Sequence, residues 1–249
     1  MSRPSKSIFF LITAVILLLL ANGCIVMDDE SGSFSSCLEG EGQIETSKIE
    51  VPPFTGIEVR SDIEVILSQG PVQEVEAKGH TNLLDELILE VDGQDLEIRS
   101  RRCLSSGSRP QLFITIPQLD RIVNSSTASI FSDNTFVITN LEATVAGSGD
   151  IDIAVISDVV KANLSGSGNL RLEGEAATLN IKITGSGDFR GFGLASLSAN
   201  AFISGSGDAE AFVQDFLEAS ISGSGDVFYK GNPFLEVRLT GTGKVIDAN

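Results

Sequence analysis

Apolar side chains recur at alternate positions through the second half of the chain, from about residue 141 onward. They keep a constant relation to a tetrapeptide that returns six times. The residues six, four and two places before its first glycine are apolar in every copy, and so is the residue four places after it. A period of two predicts β-strands with one buried face. We therefore expect each repeat to form a strand, a tight corner and a second strand.

The recurring tetrapeptide is Gly-Ser-Gly-Asp or a close variant, at intervals of 18 to 20 residues. Its copies begin at Gly147, Gly166, Gly185, Gly205, Gly223 and Gly241. This period is too short for helical repeats of about 33 residues or for propeller blades of about 40. Stacked copies would bury their apolar columns in one core. The sequence therefore predicts an all-β fold, a parallel β-helix with rungs of about 19 residues.

The corners carry the first candidate chemistry. Glycine suits a sharp turn because it adopts positive φ without strain, and aspartate suits it because its side chain bonds turn amides. Stacking would align the corner acids in a column, where like charges repel. Either solvent and turn amides relieve this repulsion, or calcium ions bind between the carboxylates. The candidate metal ligands are Asp150, Asp188, Asp208 and Asp226, and Asn169 interrupts their column.

The region from about 46 to 124 has a less regular pattern. Its candidate strands are 56–60, 63–68, 72–78, 87–91, 96–99 and 112–116. The pair Asp92-Gly93 predicts a hairpin turn, and 119–130 resembles a rung in which serine and threonine replace the corner glycines. No convincing boundary separates the two halves, so we expect one elongated domain over residues 46–249.

The first 23 residues predict a signal peptide. Arg3 and Lys6 form a short basic region, and the apolar run 8–20 follows. Its thirteen residues are fewer than the roughly 20 that a membrane-spanning helix needs. An uncleaved anchor and an ordinary secretory signal are the alternatives to the lipoprotein signal described next.

The residues before Cys24 resemble the lipobox of bacterial lipoproteins, with cleavage after Gly23 and lipid attached to Cys24. Ala21 and Asn22 depart from the commonest form of that motif. Ile25 follows the cysteine where aspartate would favour the inner membrane. The resemblance thus implies the cell envelope, at the outer membrane of a Gram-negative bacterium, with the lipid as membrane partner.

Charge and histidine content exclude several classes of function. The chain has 34 acidic and 17 basic residues, a formal net charge of −17, which becomes −19 once residues 1–23 are removed. A surface of this sign argues against nucleic acid as a partner. His80 is the only histidine, so multi-histidine metal sites and most histidine-activated nucleophiles are excluded. Catalysis would have to use carboxylates.

Residues 24–45 are predicted to form a flexible acidic tether, because acids, serines and glycines leave too little apolar surface to bury. Two cysteines remain after Cys24. A disulfide between Cys37 and Cys103 is expected in an oxidising envelope, and it would fasten the end of the tether to the body. Two free thiols are the alternative.

Several segments together resemble a known family. They are VPPFTGIEVRSDIEVILSQG, TNLLDELILEVDGQDLEIRS, LFITIPQLDRIV and the repeated SGSGD corners. Over about residues 46–247 the chain is similar to the bacterial auto-transporter adhesin head GIN domain, a domain of unknown function. The resemblance implies a right-handed, single-stranded β-helix, often on an envelope lipoprotein, with no catalytic residues to carry over.

The function expected from these features is a non-catalytic binding or adhesion module at the cell envelope, with a glycan or a protein as ligand and no cofactor. A polysaccharide-active enzyme and a calcium-binding scaffold are the alternatives. Glycoside hydrolysis runs on paired carboxylates. The acids here, however, lie in the corners or at scattered outward positions such as Asp152, Glu210 and Glu218.

Overall fold

The computed structural model describes residues 37–249, a unit built almost entirely of strands. Of the described residues, 61% lie in strands and 3% in helices, and they wind into a β-solenoid of about seven turns with rungs about 19 residues apart. The predicted all-β class, the β-helical architecture and the rung length are confirmed. The predicted signal peptide and Cys24 lie outside the described residues.

Strands dominate the unit, with one short helix and one 3-10 turn among residues 37–249. The strands are β1 (Ile44–Lys48), β2 (Gly56–Val59), β3 (Glu64–Gln69), β4 (Glu74–His80), β5 (Leu87–Asp92), β6 (Asp95–Ser100), β7 (Gln111–Ile116), β8 (Arg121–Asn124), β9 (Ser129–Ser132), β10 (Phe136–Val145), β11 (Asp150–Leu164), β12 (Leu170–Ile183), β13 (Phe189–Ile203), β14 (Ala209–Ile221), β15 (Val227–Lys230), β16 (Phe234–Leu239) and β17 (Val245–Asp247). Helix α1 (Thr81–Leu84) follows β4, and the 3-10 turn Ser106–Ser108 precedes β7. In this part of the chain no helix is long and apolar enough to cross a membrane.

Strands β10 to β14 form the regular part of the solenoid, in which each strand runs parallel to the next. Residues in register form inward columns; one column is Ala143, Ala162, Ile181, Ala201 and Ala219. All five side chains are buried in one continuous core, whereas Lys182 faces water. The predicted alternation is confirmed up to the last rung, where Val237 and Leu239 are exposed.

The first rung of the chain does not lie at the end of the stack. Strand β2 is parallel to β6 on one side and to β8 on the other, and β3 lies in the same way between β7 and β9. After β3 the chain therefore builds the end of the solenoid, and then passes to the far side of β2 and β3 to form β8 and β9. The candidate strands were predicted correctly, but alternation along a strand does not identify its neighbours.

Antiparallel strands cover this end, here called the capped end. Strand β4 lies antiparallel on β7, β1 lies antiparallel on β4, and β5 forms a hairpin with β6. The hairpin turns at Asp92-Gly93 as predicted, with Gly93 at a φ of 64°. The terminal rung is thus covered by strands of reversed direction rather than left open.

The predicted tether does not extend to residue 45. Cys37 is bonded to Cys103, with the two Cα atoms 4.6 Å apart, and the N–H of Leu38 donates to the O of Cys103 at 2.7 Å. Strand β1 then pairs with β4, although all five of its side chains are exposed. Backbone hydrogen bonds hold this segment in place, and they cannot be predicted from its acidic composition. The body begins at Cys37 rather than at residue 46.

The corner glycines are needed for a reason that differs from the one expected. Among the described residues, positive φ occurs only at glycines outside the corners: Gly42, Gly93, Gly174 and Gly231. A Cβ on Gly187 would instead lie 1.9 Å from the O of Gly168 in the preceding rung, and a Cβ on Gly207 would lie 2.0 Å from the O of Gly187. The corner glycines cannot be replaced by residues with a side chain, because the main chains of successive corners are in contact at these positions.

We predict that Gly187→Ala lowers the free energy of unfolding by about 3 kcal/mol, because the added methyl group overlaps a carbonyl that two stacked rungs hold in place. Ser186→Ala removes an exposed hydroxyl from the same corner and should change the free energy of unfolding by less than about 0.5 kcal/mol. Urea denaturation of Cys37–Asn249, followed by circular dichroism, measures both. Equal effects would show that the corner tolerates a side chain.

Candidate functional site

The four candidate metal ligands lie at the ends of the corners, and each uses its carboxylate to hold the next rung. The Oδ1 atom of each accepts the backbone N–H of the residue at the same place in the following rung. The pairs are Asp150 with Asn169 at 2.8 Å, Asp188 with Asp208 at 3.0 Å, Asp208 with Asp226 at 2.7 Å, and Asp226 with Lys244 at 2.7 Å. This carboxylate ladder is therefore part of the stacking of the rungs.

Further hydrogen bonds join the same corners. The N–H of Phe189 donates to the O of Asp208 in the next rung at 2.9 Å. Asn169 adds a side-chain bond, in which its Nδ2 donates to Asp150 Oδ1 at 2.9 Å. Asn169 is neutral and Lys244 is cationic, so the row of carboxylates is interrupted at two rungs, and the repulsion between like charges is correspondingly smaller.

This geometry gives the carboxylates a structural role. Calcium in proteins takes about six to eight oxygen ligands, whereas no group of three or more His, Cys, Asp or Glu side chains within residues 37–249 could hold a metal ion. Successive corners are joined through a main-chain N–H, and the positive end of that dipole faces the carboxylate. Backbone donors therefore stabilise the acids of the ladder.

We predict that Asp208→Ala lowers the free energy of unfolding by about 1 to 2 kcal/mol, because the N–H of Asp226 loses its acceptor. Asp208→Asn keeps an Oδ1 acceptor and removes one charge from the column, so its effect should be less than half as large. Thermal unfolding at constant ionic strength compares the variants, and millimolar calcium should leave the midpoint unchanged. A rise with calcium that Asp208→Asn abolishes would support the metal hypothesis instead.

The corner hydroxyls are not placed for nucleophilic catalysis. Exposed serines form a column along the corners: Ser148, Ser167, Ser186, Ser206 and Ser224. The hydroxyl of Thr242 continues this column and donates to Ser224 at 3.2 Å. His80 lies at the capped end, where its Nδ1 is 3.2 Å from the O of Gly42. The one histidine is thus remote from the corner serines.

The outward side of the segments that precede the corners forms a second feature, here called the polar face. Two rows of side chains run along it, with one residue per rung in each row. The first row is Glu142, Lys161, Asn180, Asn200, Glu218 and Glu236, and the second is Thr144, Asn163, Lys182, Phe202, Ser220 and Arg238. Because neighbouring strands lie about 4.8 Å apart, the face presents regularly spaced groups.

A groove of about 410 Å³ lies in the polar face near the last rungs. Its outward-pointing lining consists of Asn180, Asn200, Phe202, Glu218, Ser220 and Arg238. Asn200 Nδ2 donates to Asn180 Oδ1 at 3.0 Å, and Arg238 Nη1 lies 3.4 Å from Glu218 Oε1. Phe202 is 43% exposed, so amides, a hydroxyl and an ion pair surround an accessible aromatic ring.

This combination is suited to binding a polyhydroxylated ligand. Amide and hydroxyl groups both donate and accept hydrogen bonds, and a guanidinium group donates them. The ring of Phe202 offers an apolar surface for the C–H groups of a sugar. The groove thus combines one exposed aromatic ring with a few polar groups, and ligand sites combine the same kinds of group.

Carboxylates also line a different groove, which contains Asp150, Asp152 and Glu173. Burial raises the pKa of Asp152, the positive charge of Arg171 opposes this increase, and Glu173 adds to it. Arg171 forms an ion pair with Glu173 and lies 3.9 Å from Asp152, and all three side chains are about half exposed. These acids form a surface ion-pair network, which is a poor general acid–base pair.

The sequence of the solenoid identifies its family. Residues 53–233 match the family described as "Putative auto-transporter adhesin, head GIN domain". The chain belongs to this family. The match runs from just before β2 to just before β16, and it confirms the resemblance found in the sequence. Among proteins with curated descriptions, none matches the chain significantly.

Solved structures share the fold of this head GIN domain. A "putative adhesin" from Bacteroides fragilis NCTC 9343 is 19% identical, with a TM-score of 0.78, and the alignment covers 84% of this chain and 98% of that one. A "putative adhesin" from Parabacteroides merdae ATCC 43184 is 19% identical, with a TM-score of 0.66 and coverage of 86% and 100%. A "putative lipid binding protein" from Parabacteroides distasonis ATCC 8503 is 20% identical, with a TM-score of 0.68 and coverage of 85% and 100%. At these identities the likeness shows the fold alone.

Sequence reasoning missed two residues of the head GIN domain. Asn124 pairs with Val145 in an inward column and is fully buried; its Nδ2 donates to the O of Ala128 at 2.7 Å, and its Oδ1 accepts the N–H of Ser126 at 3.1 Å. Asn124 therefore stabilises the corner at residues 125–128, which contains no glycine. Phe202 was missed as well. Each could have been found from the sequence. Asn124 is a polar residue in an apolar column, and Phe202 is an aromatic residue at an outward position.

Proposed function

We propose that the chain is a lipid-anchored protein of the bacterial cell envelope and that its solenoid is a non-catalytic adhesion module. The groove around Phe202 carries this proposal, because it joins an accessible ring to convergent hydrogen-bonding groups. The family description and the structural relatives support an adhesion-like, envelope-associated role. The ion-paired acids near Arg171 give no comparable support to an enzyme.

The proposed ligand is an uncharged glycan. A formal net charge of −17 repels anionic polysaccharides, while the amides of Asn180 and Asn200 recognise neutral hydroxyls by hydrogen bonding. Parallel pairing repeats the outward groups once per rung. An extended glycan that lies along the polar face would therefore meet a hydrogen-bonding side chain at each step.

The proposed attachment point is Cys24, and the proposed membrane is the outer membrane. The chain enters the body at Cys37, which is bonded to Cys103 at the capped end, so a lipid on Cys24 would hold the body by that end. The acids Asp28, Asp29 and Glu30 lie between these two cysteines. An anionic membrane surface would repel these acids, which favours a body held away from that surface.

We predict that Cys24→Ser abolishes lipid labelling, because one thiol is the sole attachment point. Cells that express the full chain in the presence of radioactive palmitate should yield one labelled band. Cys37→Ser is the matched control, since it removes a different cysteine and should keep the label. A labelled Cys24→Ser chain would refute the anchor.

We predict that neutral glycans on an array retain Cys37–Asn249 and that Phe202→Ala weakens this binding about tenfold, because the lost ring contact corresponds to about 1.4 kcal/mol. Leu197→Ala removes another exposed apolar side chain, one that does not line the groove, and should bind like the wild type. Equal binding by Phe202→Ala would place the ligand elsewhere. Shortened glycans released from the array would show an enzyme instead.

A further inference from the structure

The two ends of the solenoid are finished differently. Antiparallel strands and the disulfide cover the capped end. At the other end, β16 is paired along one side only, with β14, within the part of the chain that the structure describes. Val237 and Leu239 continue the inward columns but are 41% and 49% exposed, and Phe234 is 72% exposed. This apolar rung is here called the open end.

The main chain of β16 offers hydrogen bonds on its open side. The N–H of Thr240 donates to the O of Ile221 in β14 at 2.9 Å. Because alternate residues of a strand direct their backbone groups to opposite sides, Leu235, Val237 and Leu239 direct theirs away from β14. A strand edge with free donors and acceptors readily pairs with another strand.

The sequence of β16 is symmetric about Val237. Leu235 and Leu239 lie two residues to either side of it, and Glu236 and Arg238 lie one residue to either side. The leucines continue the inward columns, and the charged residues belong to the polar face. If the strand is reversed and laid against itself at Val237, leucine meets leucine and glutamate meets arginine.

We propose that a second copy of this chain covers the open end, with the two β16 strands antiparallel about a two-fold axis through Val237. The N–H of Val237 then donates to the O of the partner's Val237, and the reverse bond also forms. Glu236 faces the partner's Arg238, and opposite charges at such positions stabilise a strand pair. The inward columns of both copies join in one core, so that the exposed apolar rung is removed from water.

The molecule itself shows that a reversed strand can complete one of its rungs. Strand β4 lies antiparallel on β7, and β5 lies antiparallel on β6. A parallel copy is disfavoured, because Glu236 already stacks on Glu218 and a further glutamate in register would add a like charge. An isologous pair closes on itself, whereas contact between the open end of one copy and the capped end of another would form filaments.

Pairing about this axis also has a consequence for the polar face. Because the axis is normal to the sheet, the outward side chains of both copies stay on the same side. The two grooves around Phe202 are then displayed together, and a long ligand engages both. Two linked sites bind such a ligand more tightly than one site does.

Sedimentation of Cys37–Asn249 at micromolar concentration tests the pairing. We predict a dimer for the wild type and monomers for Glu236→Arg and for Arg238→Glu, because each variant alone sets like charges opposite each other. An equimolar mixture of the two variants should restore the dimer, since the arginines of one chain face the glutamates of the other. Circular dichroism should show that both monomers remain folded. A monomeric wild type, a filament, or a mixture that stays monomeric would overturn the proposal.

Cross-linking in the full chain tests the register. With Val237 on the axis, positions 236 and 238 of opposite copies lie about 4.5 Å apart at Cα, which is within disulfide range. Differently tagged Glu236→Cys and Arg238→Cys chains, co-expressed, should give a mixed disulfide dimer on a non-reducing gel. Either variant expressed alone should give none, because like positions are offset by two residues along the strands. The opposite pattern of bands would contradict this register.

Discussion

Main-chain contact between successive corners is the constraint on which the rest of this solenoid depends. A Cβ on Gly207 would lie 2.0 Å from the O of Gly187, so the third position of the corner admits no side chain. Without one, the N–H of Ser206 reaches the O of Gly185 at 3.0 Å, and each corner repeats the path of the one before it. The inward columns beside the corners follow, because strands that enter and leave stacked corners are in register there, whereas the register shifts within β12–β14 lie farther along the strands.

The carboxylate ladder is a second consequence of the same stacking. Corners that repeat their path place like residues beside each other, and two carboxylates in that position would destabilise the stack. Here the Oδ1 of Asp208 accepts the N–H of Asp226 at 2.7 Å, so the acid bonds to the main chain of its neighbour rather than facing the neighbouring carboxylate. This hydrogen bond to the main chain offsets part of the repulsion between stacked acids.

Sequence periodicity could predict the solenoid, its rung length and inward residues such as Ile181, because a period of two reports which side chains are buried. It could not predict that β2 lies between β6 and β8, since alternation does not name a neighbour. Nor could it place β1, whose side chains are all exposed and whose backbone alone is bonded. The groove around Phe202 could not be predicted from the sequence for a related reason. Asn180 and Asn200 meet only because their rungs stack, and each is an ordinary surface residue by itself.

A stack of equivalent rungs contains no internal signal that ends it, so its two edges have to be treated separately. Reversal of direction ends the stack at the capped end, where β1 and β5 present outer edges of their own. Strand β16 keeps the direction of the strands before it but carries Glu236 and Arg238 on either side of Val237. In a parallel stack each of these charged residues lies directly beside a residue of the same charge. In the proposed antiparallel pair each lies opposite a residue of the other charge. The same two residues therefore disfavour the parallel addition of further copies and favour the proposed closed pair.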